Sequence, residues 1–236
     1  MAEEIRLASR RERHKDRSRA AIIDAANDLL REVGADDLSV KMIAERADVA
    51  AATIYNLFGS KGAVLEKVYE RDFEAFAAKV AAAGSETALD EMFEALRIVT
   101  KLYRADPSFY RGMTIRNPRA EPELVISVQG PRQAFWRRLM ERAVRERDLA
   151  SDTRADLLSM AMLQLGGGAF GAWAADLITL EEMELQTSYG LARLLLSVAR
   201  PAARAGLQAR IDAIEAALPP GSLRSEPALT ARRSPG

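Results

Sequence analysis

Apolar residues recur three and four positions apart along nearly the whole chain, and alternating β-branched runs are almost absent. The period is helical. From Arg19 to Val33 the residues Ile22, Ala26, Leu29 and Val33 form one stripe, widened by Ile23 and Leu30, and Gly34 stands where a C-terminal cap belongs. Ser39 precedes a short pattern, Val40 to Ala47, as an N-cap. A third short helix is predicted from about Ala50 to Phe58, broken by Gly59-Ser60. From Lys61 a longer one carries Val64, Leu65, Val68, Tyr69, Phe73 and Phe76. Further helices are predicted at about Glu86–Arg104, Ser108–Arg116 (closed by Asn117-Pro118), Pro131–Glu146, Thr153–Leu177, Leu180–Ala199 and Ala202–Leu218. Pro131 is read as a first-turn proline. The fold class is all-α: three short N-terminal helices with a helix-turn-helix, followed by a larger helical bundle.

The segment from Leu157 to Ala175 contains no charge, close to the ~20 residues a bilayer requires. Four glycines (Gly166, Gly167, Gly168, Gly171) and acids at both ends argue against a membrane span and for a helix buried between others. No membrane partner is expected. The 34 Lys and Arg balance 34 Asp and Glu, so whole-chain charge points to no partner. That balance hides an asymmetry: from Arg6 to Arg19 seven basic residues face only Glu12 and Asp16. Residues 1–18 therefore read as a basic arm suited to phosphates or a minor groove. Its first twenty residues lack the apolar core of a signal peptide, and localisation is expected to be cytoplasmic. Pro219 to Gly236 reads as a disordered tail.

Chemistry is scarce. With no cysteine and one histidine, His14, the chain lacks material for thiolate metal sites, Cys nucleophiles or a Ser-His-Asp triad. Asp36-Asp37 and Glu181-Glu182 are adjacent pairs that splay apart on a helix. Neither a catalytic group, a metal nor a cofactor is expected.

The informative stretch is Val40 to Phe58. Ala44 is small where two helices cross, and Ile43, Ala47, Val49, Ile54 and Leu57 make a shared seam. Asp48 occupies the turn, where a positive φ is tolerated. With Ala52 placed inward, Ala50, Ala51, Thr53, Tyr55 and Asn56 face out, the surface that enters the major groove in DNA-binding versions. Asn56 suits an adenine edge, and Ala50 or Ala51 a thymine methyl. Thr53 and Tyr55 suit phosphate oxygens, as do Lys61, Ser39 and Lys41 at the starts of their helices.

Residues Arg19 to Glu70 resemble the N-terminal domain of the TetR family of transcriptional regulators. The resemblance is carried by Ala-Ile-Ile-Asp-Ala-Ala (21–26), Gly34, Leu38-Ser-Val (38–40), Ile43-Ala-Glu-Arg-Ala (43–47), Val49, Thr53-Ile-Tyr (53–55), Phe58 and Ser60-Lys61. It implies an all-α homodimer whose N-terminal helices bind double-stranded operator DNA and whose remaining helices bind an effector. Asp48 departs from the family's turn glycine, and Ala50-Ala51 from its more polar residues. The expected division is a DNA-binding domain over 19–60, an effector and dimerisation domain over 61–200 and an extension over 201–218.

A small, largely apolar effector is expected among Arg97, Tyr103, Phe109, Met113, Trp136, Met140, Gln164 and Phe170. The dimer is expected to use the uncharged helix with Leu191, Leu194, Leu195 and Val198 of the next. The competing reading is a helical protein-interaction adaptor that has lost DNA binding, given the alanine-rich recognition segment.

Overall fold

The computed structural model describes residues 2–113 and 122–217. Its helices are α1 (Ala2–Asp37), α2 (Val40–Arg46), α3 (Ala51–Phe58), α4 (Lys61–Ala82), α5 (Ala88–Ala105), α6 (Pro107–Gly112), α7 (Pro122–Arg145), α8 (Ala155–Ala174), α9 (Leu180–Val198) and α10 (Pro201–Ala217). Among the described residues there is no strand, only an isolated bridge between Leu149 and Ala199. The expected closure at Asn117-Pro118 and the tail from Pro219 lie outside the described residues.

The chain divides into two compact units: Met1–Ala77 with Asp106–Pro131, and Ala78–Ala105 with Arg132–Gly236. The first unit thus takes in much of α4 and all of α6, instead of ending near residue 60. Its core is Ile22, Ala26, Leu29 and Leu30 of α1 with Ile43, Ile54, Val64, Leu65 and Tyr69. Gly34 breaks α1 at φ 76, as its cap position suggests. The backbone of α6 lies directly on α1: a Cβ placed on Gly112 falls 1.9 Å from the Leu30 carbonyl oxygen. Around this point Arg31 pairs with Asp106 at 2.8 Å and stacks over Phe109. The Tyr110 hydroxyl donates to Asp72 at 2.9 Å, and the Tyr69 hydroxyl to the Met113 carbonyl at 3.3 Å.

In the second unit, Met92, Leu139, Met140, Met162, Leu191 and Leu195 are fully or almost fully buried. Glu91, also buried, accepts from Arg138 and Arg142. Arg142 reaches Glu146, which in turn accepts the Ala88 amide at the start of α5. A buried carboxylate is tolerable only when paired and hydrogen-bonded in this way. The adjacent acids Glu181 and Glu182 have structural partners. Glu182 completes a capping box with Thr179, while Glu181 accepts from Arg104 at 2.8 Å.

The structure corrects three expectations. α7 begins at Pro122, and Pro131 lies inside it. Pro131 gives up one ladder bond, the one its missing N–H would make to Ser127, but does not end the helix. The uncharged helix α8 is not buried between its neighbours: its most apolar window is 22% buried, and Leu157 and Met160 are about half exposed. By length and composition alone it is long and apolar enough to cross a membrane. Among the described residues nothing approaches the Cβ positions of Gly166, Gly167, Gly168 or Gly171, so these glycines serve no close approach within the chain. On α9, Leu191 and Leu195 are wholly buried inside the unit, which leaves only Leu194 and Val198 of the expected stripe partly accessible.

Candidate nucleic-acid interface

The candidate site is built by α2, α3 and the turn between them. Ser39 caps α2, its Oγ accepting the Met42 amide at 3.2 Å. α2 is held to α1 by a two-pronged pair in which Arg46 donates to both carboxylate oxygens of Glu32, at 3.0 and 2.8 Å. That hydrogen bonding lowers the Glu32 pKa from its usual value and raises that of Arg46. The turn closes through Ala47 and Val49 amides donating to the Ile43 and Ala44 carbonyls, at 2.9 and 3.0 Å. Asp48 takes φ 52 there, the conformation for which Asp is among the better non-glycine choices.

Ile54 anchors α3, with no exposed surface at all. At about 100° per residue, positions two before and two after it lie opposite, and those are Ala52 and Asn56. Both are exposed, as are Ala50, Ala51 and Tyr55, the last at 55%. Ala52 therefore belongs to the outward face, against the inward placement read from sequence. Thr53 is half-buried at the edge of that face, and Leu57 and Phe58 are half-buried beside Ile54. α3 begins at Ala50, whose side chain can make no cap. The amides of its first turn are not covered by a capping side chain, in contrast to α2 and to α4, where the Ser60 Oγ accepts the Ala63 amide.

The two lysines differ. Lys41 is 84% exposed in its side chain, with Glu45 no closer than 3.9 Å. Lys61 is half-buried, and its ammonium donates to the Ala35 carbonyl at 3.1 Å, tying the start of α4 to the end of α1. Sequence reading missed this role because the acceptor is a backbone oxygen 26 residues away.

The effector candidates are not gathered into one site. Phe109 and Met113 belong to the first unit and the other six to the second. Trp136 and Met140 are buried in the core, whereas Gln164 is exposed. Arg97 is exposed and bonded to Glu94, whose pKa it lowers. Tyr103 and Phe170 do meet, with ring centroids 5.3 Å apart, and Tyr103 also stacks on Trp173 at 5.2 Å. The second unit carries an open groove of about 440 Å³ lined by Lys79, Ala82, Ala83, Glu94, Ile98, Lys101 and Leu102, none of them an expected effector residue.

Two short helices joined by a positive-φ turn, packed on a longer helix and presenting the second of the pair to solvent, define a helix-turn-helix protein. The family model for bacterial regulatory proteins of the tetR family matches residues 22–68. By this N-terminal domain the chain belongs to the TetR family of transcriptional regulators, which are not enzymes. It is 47% identical over 60 residues to an uncharacterized HTH-type transcriptional regulator, YdeS, of Bacillus subtilis, covering 25% of this chain and 30% of the relative. It is 31% identical over 96 residues to the HTH-type transcriptional repressor KstR of Rhodococcus jostii, covering 41% and 45%. The chain thus spans less than half the length of these curated relatives. Among solved structures it is similar to SmeT, the repressor of the Stenotrophomonas maltophilia multidrug efflux pump SmeDEF, with a TM-score of 0.61, 16% identity and coverage of 78% and 92%. That likeness extends the shared all-helical fold beyond the N-terminal domain.

Proposed function

We propose that this chain is a cytoplasmic DNA-binding repressor that grips a palindromic operator as a homodimer and is released by a small, largely apolar effector. The observation that carries the DNA-binding part is the outward face of α3: Ala51, Ala52, Tyr55 and Asn56 are all exposed while Ile54 is wholly buried. Such a face, free of bulky side chains at its start, lets the helix approach base edges closely. Asn56 is the base reader of the set. Tyr55, Thr53, Ser39, Lys41 and the uncapped amides at Ala51 and Ala52 supply phosphate contacts, and Lys61 adds charge while it holds the α1–α4 junction. Repression is supported by the repressor roles of KstR and SmeT.

A second copy is supported by α8, whose exposed Leu157, Met160, Gly167 and Gly168 recur on one face of the helix. Covering that face with its twin removes the apolar surface from water without a membrane. The Tyr103–Phe170–Trp173 cluster and the apolar part of the groove favour an effector that is largely hydrocarbon.

Asn56→Ala tests the reading. It is expected to cost about 1–3 kcal/mol on the operator alone and to relax one base in each half-site, with its salt dependence unchanged. Anisotropy titrations on operator and scrambled duplexes measure this. Equal losses on both would remove Asn56 from base reading.

A further inference from the structure

α1 starts at Ala2, yet its first buried residue is Ile22, and Glu12 through Arg17 are all exposed. Some twenty residues of helix, roughly 30 Å at 1.5 Å per residue, thus precede the part of α1 that enters the core. The basic arm expected from sequence is a helix continuous with the DNA-binding domain. Nothing from Ala2 to Arg19 breaks a helix, since the stretch holds no Gly and no Pro.

Helical register sorts its charges. At 100° per residue, positions Arg6, Arg10, Arg13 and Arg17 fall within an arc of about 60°. Glu12, Lys15, Asp16 and Arg19 fall on another side, where Lys15 pairs with Glu12 at 3.5 Å and Arg19 with Asp16 at 3.3 Å. One side is neutralised within itself. The arginine positions lie opposite in register to those that α1 buries, Ile22, Ala25, Ala26 and Leu29, and so away from the surface that packs the domain. Ile5 and Leu7 lie outside the arginine arc and on different sides from each other, so no apolar stripe accompanies the cations, as a membrane-surface helix requires. Glu3, at the arc's N-terminal edge, is the acid nearest to it in register.

We propose that the N-terminal extension of α1 is a rigid cationic rail that binds the phosphate backbone of DNA through Arg6, Arg10, Arg13 and Arg17, independently of base sequence. Neighbouring positions on the rail rise about 4.5–6 Å along the axis, and a guanidinium fork matches a phosphate in two bonds. The positive end of the helix dipole adds to the same field. The inference rests on the reading of α3 as the DNA-contacting helix, to which it adds a second surface in the same unit.

The test compares three full-length proteins by anisotropy on operator and scrambled duplexes between about 50 and 200 mM salt: wild type, a variant with Arg6, Arg10, Arg13 and Arg17 all changed to Gln, and Lys15→Gln/Arg19→Gln. Glutamine keeps helix propensity close to arginine's, and far-UV dichroism checks that helix content is retained. The fourfold variant is expected to lose at least about tenfold in affinity on both duplexes, preserving their ratio. Its log K against log salt slope flattens by roughly 0.9 for each phosphate that is no longer neutralised. The double variant stays within about twofold of wild type, since its cations are already matched by acids on their own side. An unchanged slope in the fourfold variant, with wild type still preferring the operator, overturns the rail and leaves the α3 reading intact. Equal losses in the double variant also overturn it, because charge in general and not this face is then at work. A wild-type protein that binds neither duplex overturns both readings.

Discussion

Gly112→Ala will destabilise the first unit, while the same substitution at Gly206 will stabilise the second. At Gly112 a methyl group falls 1.9 Å from the Leu30 carbonyl oxygen and 2.9 Å from its carbon. Both are backbone atoms of a helix, so no rotamer change relieves the overlap, and α6 must lift from α1. The ion pair between Arg31 and Asp106, the stacking of Arg31 on Phe109 and the Tyr110–Asp72 bond are strained together. Overpacking of this kind costs about 1–3 kcal/mol, and a backbone clash puts this case at the upper end. Gly206, exposed in mid-α10, has nothing within 4 Å of its Cβ position. Alanine there gains about 0.5–1 kcal/mol through helix propensity. Urea unfolding midpoints of the two variants check the pair; shifts of the same sign would contradict the close approach of α6 to α1.

Ala52→Glu will abolish operator binding and leave the fold untouched. The side chain lies opposite Ile54, in solvent, in the first turn of α3, where a carboxylate is if anything favourable to the helix. The melting temperature therefore stays within the small range of surface substitutions. Against DNA the same carboxylate meets phosphates and base edges. Like-charge juxtaposition costs several kcal/mol, and about 3 kcal/mol is a loss of roughly 100-fold. If Ala52 pointed inward, the order would reverse, with the fold collapsing first. Thermal melts beside anisotropy titrations distinguish the two.

That pair of outcomes also shows where the sequence was readable. The helix-turn-helix could be placed almost to the residue because its determinants are local: the Ser39 cap, the turn at Asp48 and the break at Gly59. Ala52 was misassigned because alanine is equally at home on either side of a short helix, and only the phase set by buried Ile54 decides. Gly112 carried no local signal at all. Its need for a bare Cα arises from the Leu30 backbone, some eighty positions away in sequence. Pro131, by contrast, gave a local signal that tertiary structure overrode, since α7 continues through it from Pro122.

The effector region was the least legible part. Aromatic and methionine residues look alike in sequence whether they line a pocket or fill a core, and here Trp136 and Met140 fill it. The groove that does exist is lined by small residues and two lysines, Lys79 and Lys101, which periodicity alone does not single out. The uncharged helix α8 was read as interior because it lacks charge. Its open face shows that absence of charge marks a surface to be covered, whether by this chain or by another.

Function in this protein turns on two copies of α3 reading two halves of one operator. Hydroxyl-radical footprinting of the purified protein on the DNA upstream of its own gene puts that to the test. Two symmetric protected patches are expected, centred about one helical turn apart, roughly 34–36 Å, or a multiple of that spacing, with both patches lost together in Ala52→Glu. A uniform protection that ignores sequence, a single unpaired patch, or no protection at low salt would rule out such a dimeric reader.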